Sequence, residues 1–205
     1  VYLVNYLKRF DEIFQQDHTD WILVALETVA DALVRKANNP FGIYTFGTEK
    51  NPNYFNTPEK GVNWHVGTNS DLLNAATTVA LAFKYIPKPE YERFVYDQLN
   101  WVLGMNPLGI CMMEGVGKRH LPTYHNRILF GNVPRGAVPG GVVNGVTYVA
   151  AADDRPYLDL SGVDIPAFEP NEFWLPHNTA YVNLMSQLIN MKKEELSELV
   201  KGVYV

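Results

Sequence analysis

Amphipathic runs of helical period alternate along this chain with long aperiodic stretches rich in proline, glycine and asparagine, and that alternation leaves few folds open. In residues 1–16, Leu3, Val4, Leu7, Phe10, Ile13 and Phe14 fall three and four apart, which lines one face of a helix. The run "DHTDWILVALETVADALVRKANN" keeps that spacing, with Thr19 or Asp20 as cap, basic residues in its last turn, and Asn38 and Asn39 before Pro40 as a stop. These two predict a helical hairpin. "TNSDLLNAATTVALAFKYI", capped by Thr68, Asn69 or Ser70, and "PEYERFVYDQLNWVLGMNP", with Pro89 in its first turn and Gly104 as its stop, predict a second. A last helix runs from Pro176 or His177 through "NTAYVNLMSQLINMKK", and "KEELSELV" extends or follows it. Residues 39–64 and 105–171 have no helical period; "AVPGGVVNGVTYVAAADD" holds at most a short strand pair. Aperiodic stretches this long inside a compact domain are usually functional, so chemistry is expected on loops carried by helix pairs.

Composition narrows the classes. With 205 residues, 47% of them hydrophobic and 19% charged, the chain can bury one substantial core. A net charge of −5 and no basic stripe argue against nucleic acid as a partner. No apolar run is long enough for a membrane helix, and no basic–apolar–small leader pattern opens the chain. The first residues read as the middle of an amphipathic helix with no initiator methionine, which predicts a processed or truncated chain. The single cysteine, Cys111, excludes an internal disulfide and a multi-thiolate metal site, and is expected to be a small buried packing residue. Aromatic residues reach 13%, and their flat faces suit sugar rings as well as cores.

Two short stretches concentrate chemistry. In "TYHNR", His125 and Arg127 lie two apart, so in extended backbone an imidazole and a guanidinium project from one side and can bond adjacent hydroxyls or a carboxylate. The plainer reading is a solvated histidine beside a loop-bracing arginine. "EPNEFWLPHNTAY" crowds Glu169 and Glu172 among Phe173, Trp174 and prolines at the entrance of the last helix. Trp64 and His65 in "NWHVGTNS" precede another helix, where a stacking face or core packing would serve equally. His18 reads as part of a solvated turn, and His120 follows "GKR" without a clear role. "GVGKRH" is not a phosphate loop, because no Ser or Thr follows its lysine at the required spacing. "DDRPYLDLSGVD" offers carboxylates for calcium as a structural ion, without the ligand spacing of an EF-hand.

In order, "LNWVLGMNPLG", "YHNR", "PRGAVPGG" and "NEFWLPHNTA" resemble the C-terminal half of the glycoside hydrolase family 9 catalytic module, and the resemblance spans about residues 65–190. It implies an all-α chain, about half of an (α/α)6 toroid of helical hairpins, with residues 1–205 forming the C-terminal portion of a single catalytic domain. It further implies inverting hydrolysis of β-1,4-glucosidic bonds in cellulose-like oligosaccharides by two carboxylates roughly 6.5–9.5 Å apart. On this resemblance Glu172, in the "NE" pair Asn171–Glu172, is the general acid and Glu169 its rival. His125 and Arg127 hold the sugar at the cleavage point, and Trp64 stacks on it. Such an acid must stay protonated near neutral pH, and Phe173, Trp174 and the prolines can supply the desolvating wall. No cofactor is required, and a secreted or periplasmic location is implied.

The chain departs from the family pattern in three places. His177 stands where a tyrosine usually follows the acid by five residues, which bears on subsite contacts and on the acid itself. Asp153, Asp154 and Arg155 lie well upstream of the "NE" pair rather than directly before it. No "Asp-Ala-Gly-Asp"-like motif is present, so the catalytic base is expected outside these residues, and the missing half of the barrel or another copy of the chain is an expected partner. Two alternatives stay open: an exo-acting hydrolase of glucosamine or N-acetylglucosamine oligomers on the same fold, and an inactive carbohydrate-binding remnant.

Overall fold

The computed structural model describes residues 9–13, 19–45, 54–55, 67–123, 138–150, 153–160 and 168–201. Residues 9–13 are helical. Helix α1 follows at Thr19–Lys36, then α2 (Asn69–Tyr85), α3 (Pro89–Val102), strands β1 (Thr147–Ala150) and β2 (Asp153–Tyr157), the single turn α4 (Phe168–Asn171) and the long α5 (Leu175–Lys201). The helical predictions hold where they can be compared. Thr68 sits at the N-cap of α2, Pro89 opens α3, and Gly104, at φ 105°, turns the chain out of α3 in a conformation that glycine adopts without a Cβ penalty. The last helix begins at Leu175, a residue or two before the expected start, and "KEELSELV" extends it to Lys201. The predicted partner of α1 in residues 1–16 lies mostly outside the described residues.

Helix α2 is the hub. Leu72, Leu73, Ala75, Ala76, Val79, Ala80, Leu81 and Ala82 are buried on nearly every side of it, and the alanines let α1, α3 and α5 approach closely. The α2–α3 pair is the predicted second hairpin. Its contact with α5, about ninety residues further along the chain, is long-range and has no counterpart in local periodicity. From α5, Ala180, Leu184 and Leu188 face the core at helical spacing, while Leu175, Val182 and Ile189 form an exposed row on another side. α1 does the same with Ile22, Leu26 and Ala30 inward and Trp21 and Val24 outward. Aromatic content goes into packing at Phe41, Phe55 and Trp101, where Phe55 and Trp101 stack at 6.3 Å between ring centroids.

Polar ties lock the hairpin ends. Buried Gln98 of α3 accepts from Tyr44 N at 2.7 Å and donates to Gly42 O at 2.9 Å, fastening the loop after α1. Lys88, at the N-cap of α3, pairs with Glu27 and Asp31 of α1, both at 2.9 Å. Hydrogen bonds from Tyr91 and Lys88 hold the Asp31 carboxyl below its usual range, and burial with the Asp31 bond pushes the Tyr91 phenol up to about 12. Cys111 is buried, as expected, and burial raises its thiol. The strand pair is antiparallel, with Thr147 opposite Tyr157 and a bulge between Tyr148 and Ala150.

Candidate active site

At one end of the helices the loops converge on residues 168–178. The turn α4 closes with Glu172 N donating to Phe168 O at 2.9 Å, which places Glu172 directly after it. A single turn has no period to read in a sequence, so α4 is absent from the expectations above. Glu172 is 3% exposed and Asn171 is fully buried, whereas Glu169 is half-buried.

Asn144 and Gly145 hold that turn. Asn144 is the centre: its N–H donates to Glu172 O at 2.9 Å, its side-chain amide to Phe168 O at 3.0 Å, and its carbonyl accepts from Asn69 N at 3.0 Å. Gly145 N adds a bond to Pro170 O at 2.9 Å, and Asn69 Nδ2 reaches Val143 O at 2.9 Å. The acid-bearing turn is therefore bolted through Asn144 to the first residue of α2. On the other side Asn178, in the first turns of α5, accepts from Val142 N and donates to Gly140 O, each at 2.9 Å. Sequence reasoning singled out Asn69 as a helix cap only and missed Asn144 and Asn178; an asparagine at a helix entrance looks like a cap and one beside glycines like a turn former, and nothing local marks a structural amide.

The roots of the other candidate segments reach the same turn. Asn171 Nδ2 donates to Pro122 O at 3.1 Å, three residues before His125, and Gly67 N donates to Glu169 O at 3.0 Å, three residues after Trp64. A Cβ built on Gly141 would lie 2.8 Å from Thr123 Cγ2 and 3.0 Å from Phe173 Cδ2, so Thr123, Gly141 and Phe173 meet beside Glu172. His125, Arg127 and Trp64 themselves lie outside the described residues, as does His18. His120 is exposed, and Arg155 is an exposed residue of β2. Among the described residues no three His, Cys, Asp or Glu side chains group as a metal site.

His177 is 7% exposed in the first turn of α5, and its Nδ1 has no hydrogen-bond partner among the described residues. Burial depresses its pKa from 6.5 to about 4. The imidazole is therefore neutral near pH 7 and binds a proton more readily in the unfolded chain. Its contribution to stability is complete above pH 6.5 and is lost as the pH falls towards 4. Between pH 7 and pH 5 this costs about 2 kcal/mol. Urea melts at the two pH values should show that loss in the wild type and a much smaller one in His177→Phe.

Layered helices with a buried carboxyl on a shelf of loops at one end have the architecture of part of an (α/α)6 toroid enzyme. The family model "Glycosyl hydrolase family 9" matches residues 3–185, and the chain belongs to that family. The xyloglucan-specific endo-beta-1,4-glucanase BoGH9A of Bacteroides ovatus is 25% identical over 124 residues, 57% of this chain and 20% of that protein. A metagenome-derived family 9 endoglucanase superposes with a TM-score of 0.60 at 22% identity, over 83% of this chain and 29% of its own. The cellulase Cel9M of C. cellulolyticum gives a TM-score of 0.55 at 18% identity, over 92% and 40%. The chain thus spans a fifth of the curated relative and 29–40% of these solved structures. No described helix is long and apolar enough to cross a membrane.

Proposed function

We propose that this chain carries the general-acid side of an inverting β-1,4-glucan hydrolase. Glu172 protonates the departing glycosidic oxygen. His125 and Arg127 grip the sugar at the cleavage point, Trp64 offers a stacking face, and the buried, neutral His177 ring backs the same subsite. The observation that carries the reading is convergence: the turn bearing buried Glu172 is hydrogen-bonded both to the root of the His125 segment, through Asn171 and Pro122, and to the root of the Trp64 segment, through Glu169 and Gly67.

The chemistry asks for two carboxyl groups and no cofactor. One holds a proton for the leaving group, and desolvation is the means by which proteins keep it there near pH 7. The other, on the opposite face of the sugar, takes a proton from water, at a separation of roughly 6.5–9.5 Å. We assign that base to the remaining hairpins of the toroid, and with them the cover over the exposed rows Leu175, Val182, Ile189 and Trp21, Val24. The share of the solved relatives that this chain spans supports the assignment. Calcium remains a candidate structural ion with no step assigned to it, and a location outside the cytoplasm accords with a polymeric substrate.

The full-length protein should hydrolyse cello-oligosaccharides and β-1,4-glucans and leave chito-oligosaccharides intact. Product analysis on a panel of both checks this. Cleavage of the amino-sugar series alone would replace glucan by glucosaminide as the substrate, and cleavage of neither would favour a binding remnant.

A further inference from the structure

Glu114 is an acid in an apolar run, "GICMMEGVG", and it is 4% exposed. Buried acids persist where hydrogen-bond donors converge on them. Here three do. One carboxyl oxygen, Oε2, accepts from Thr123 N at 2.9 Å, from the Thr123 hydroxyl, and from Val138 N at 3.4 Å. Thr123 Oγ1 in turn accepts from Val138 N at 3.2 Å. Main-chain bonds back the side chain, with Gly140 N donating to Glu114 O at 2.8 Å and Glu114 N to Gly141 O at 3.0 Å. Thr123 and Val138 are fifteen positions apart and flank the stretch that contains His125 and Arg127.

We infer that Glu114 is a positioning residue: its buried carboxyl ties residues 123 and 138 together and so fixes both roots of the segment from which His125 and Arg127 reach the sugar. The tie stands on the described geometry alone, while its effect on catalysis rests on the function proposed above. One oxygen takes all the bonds, so a Gln carbonyl can take its place, whereas Ala leaves Thr123 without its acceptor and Val138 with the Thr123 hydroxyl alone. The two main-chain bonds survive either change, which confines the substitution to the side chain.

The test uses Glu114→Ala, Glu114→Gln and Thr123→Val in the full-length protein, with two readouts. The first is native-state trypsin cleavage after Arg127 compared with cleavage after Arg93, an exposed arginine within α3. In Glu114→Ala the Arg127 rate should rise roughly tenfold relative to Arg93, in Glu114→Gln it should stay near wild type, and Thr123→Val should fall between. The second is steady-state hydrolysis of a cello-oligosaccharide, where kcat/KM should fall roughly 10- to 100-fold in Glu114→Ala, largely recover in Glu114→Gln, and reflect a raised KM more than a lowered kcat. Wild-type values in Glu114→Ala, or equal acceleration at Arg127 and Arg93, would overturn the inference. Should Glu114→Ala fail to fold, the ordering of the other two variants decides. Accelerated cleavage at Arg127 in a protein inactive on every sugar would leave the tie standing and sink the hydrolase reading instead.

Discussion

Glu172→Gln is expected to lower kcat on unactivated β-1,4-glucans by roughly 10²- to 10⁴-fold in the full-length protein, while oligosaccharide binding changes by no more than a few-fold. The exchange keeps the shape of the side chain and removes the proton it has to give. It leaves the main-chain ties of the residue in place: its N–H bonds Phe168 O and its carbonyl accepts from Asn144. Isothermal titration with a cello-oligosaccharide alongside steady-state rates separates the two effects. Glu169→Gln serves as the comparison. Glu169 is half-buried and its main-chain carbonyl accepts from Gly67, so replacing its side chain should cost activity little.

The largest stability effect is expected at Gly145. Its φ of 96° lies where residues with a Cβ are strained, and a Cβ there would sit 2.3 Å from Asn69 Oδ1, on a fully buried side chain that is held by its Nδ2 bond to Val143 O. Strain and overlap together predict that Gly145→Ala costs on the order of 3 kcal/mol. The same contact lies between α2 and the shelf under Glu172, so activity should fall further than the loss of folded protein explains. Thermal melts give the first quantity. Specific activity corrected for the folded fraction gives the second. A variant with an unchanged melt would show that the shelf yields more readily than its packing indicates.

Helix-level structure was legible wherever the signal was local. α1, α2 and α3 follow from period, caps and stops, because apolar spacing, Pro89 and Gly104 act within a few residues of themselves. The pairing of α2 with α5 was not legible, since small residues on α2 permit a close neighbour without saying which. Nor was α4, which is one turn long and held by Asn144 from elsewhere in the chain. At the site, Glu172 could be singled out by its apolar neighbours and by the resemblance to family 9, and it is buried in the fold. What positions it could not. Asn69, Asn144, Asn178 and Glu114 act through partners up to 75 residues away, and a polar residue at a helix entrance or in a glycine-rich loop looks the same whether it faces water or bonds across a core. Glu114 left one faint trace, an acid among methionines, which is the composition of a buried carboxyl with dedicated donors.

The most direct test of Glu172 as the acid compares two leaving groups in the Glu172→Gln protein. A departing sugar hydroxyl needs a proton, whereas fluoride or a dinitrophenolate leaves without one. The account predicts that hydrolysis of the unactivated glucan collapses while turnover of the β-glycosyl fluoride or dinitrophenyl cello-oligoside stays close to wild type. Equal loss on both substrates, or retention of both, would contradict it.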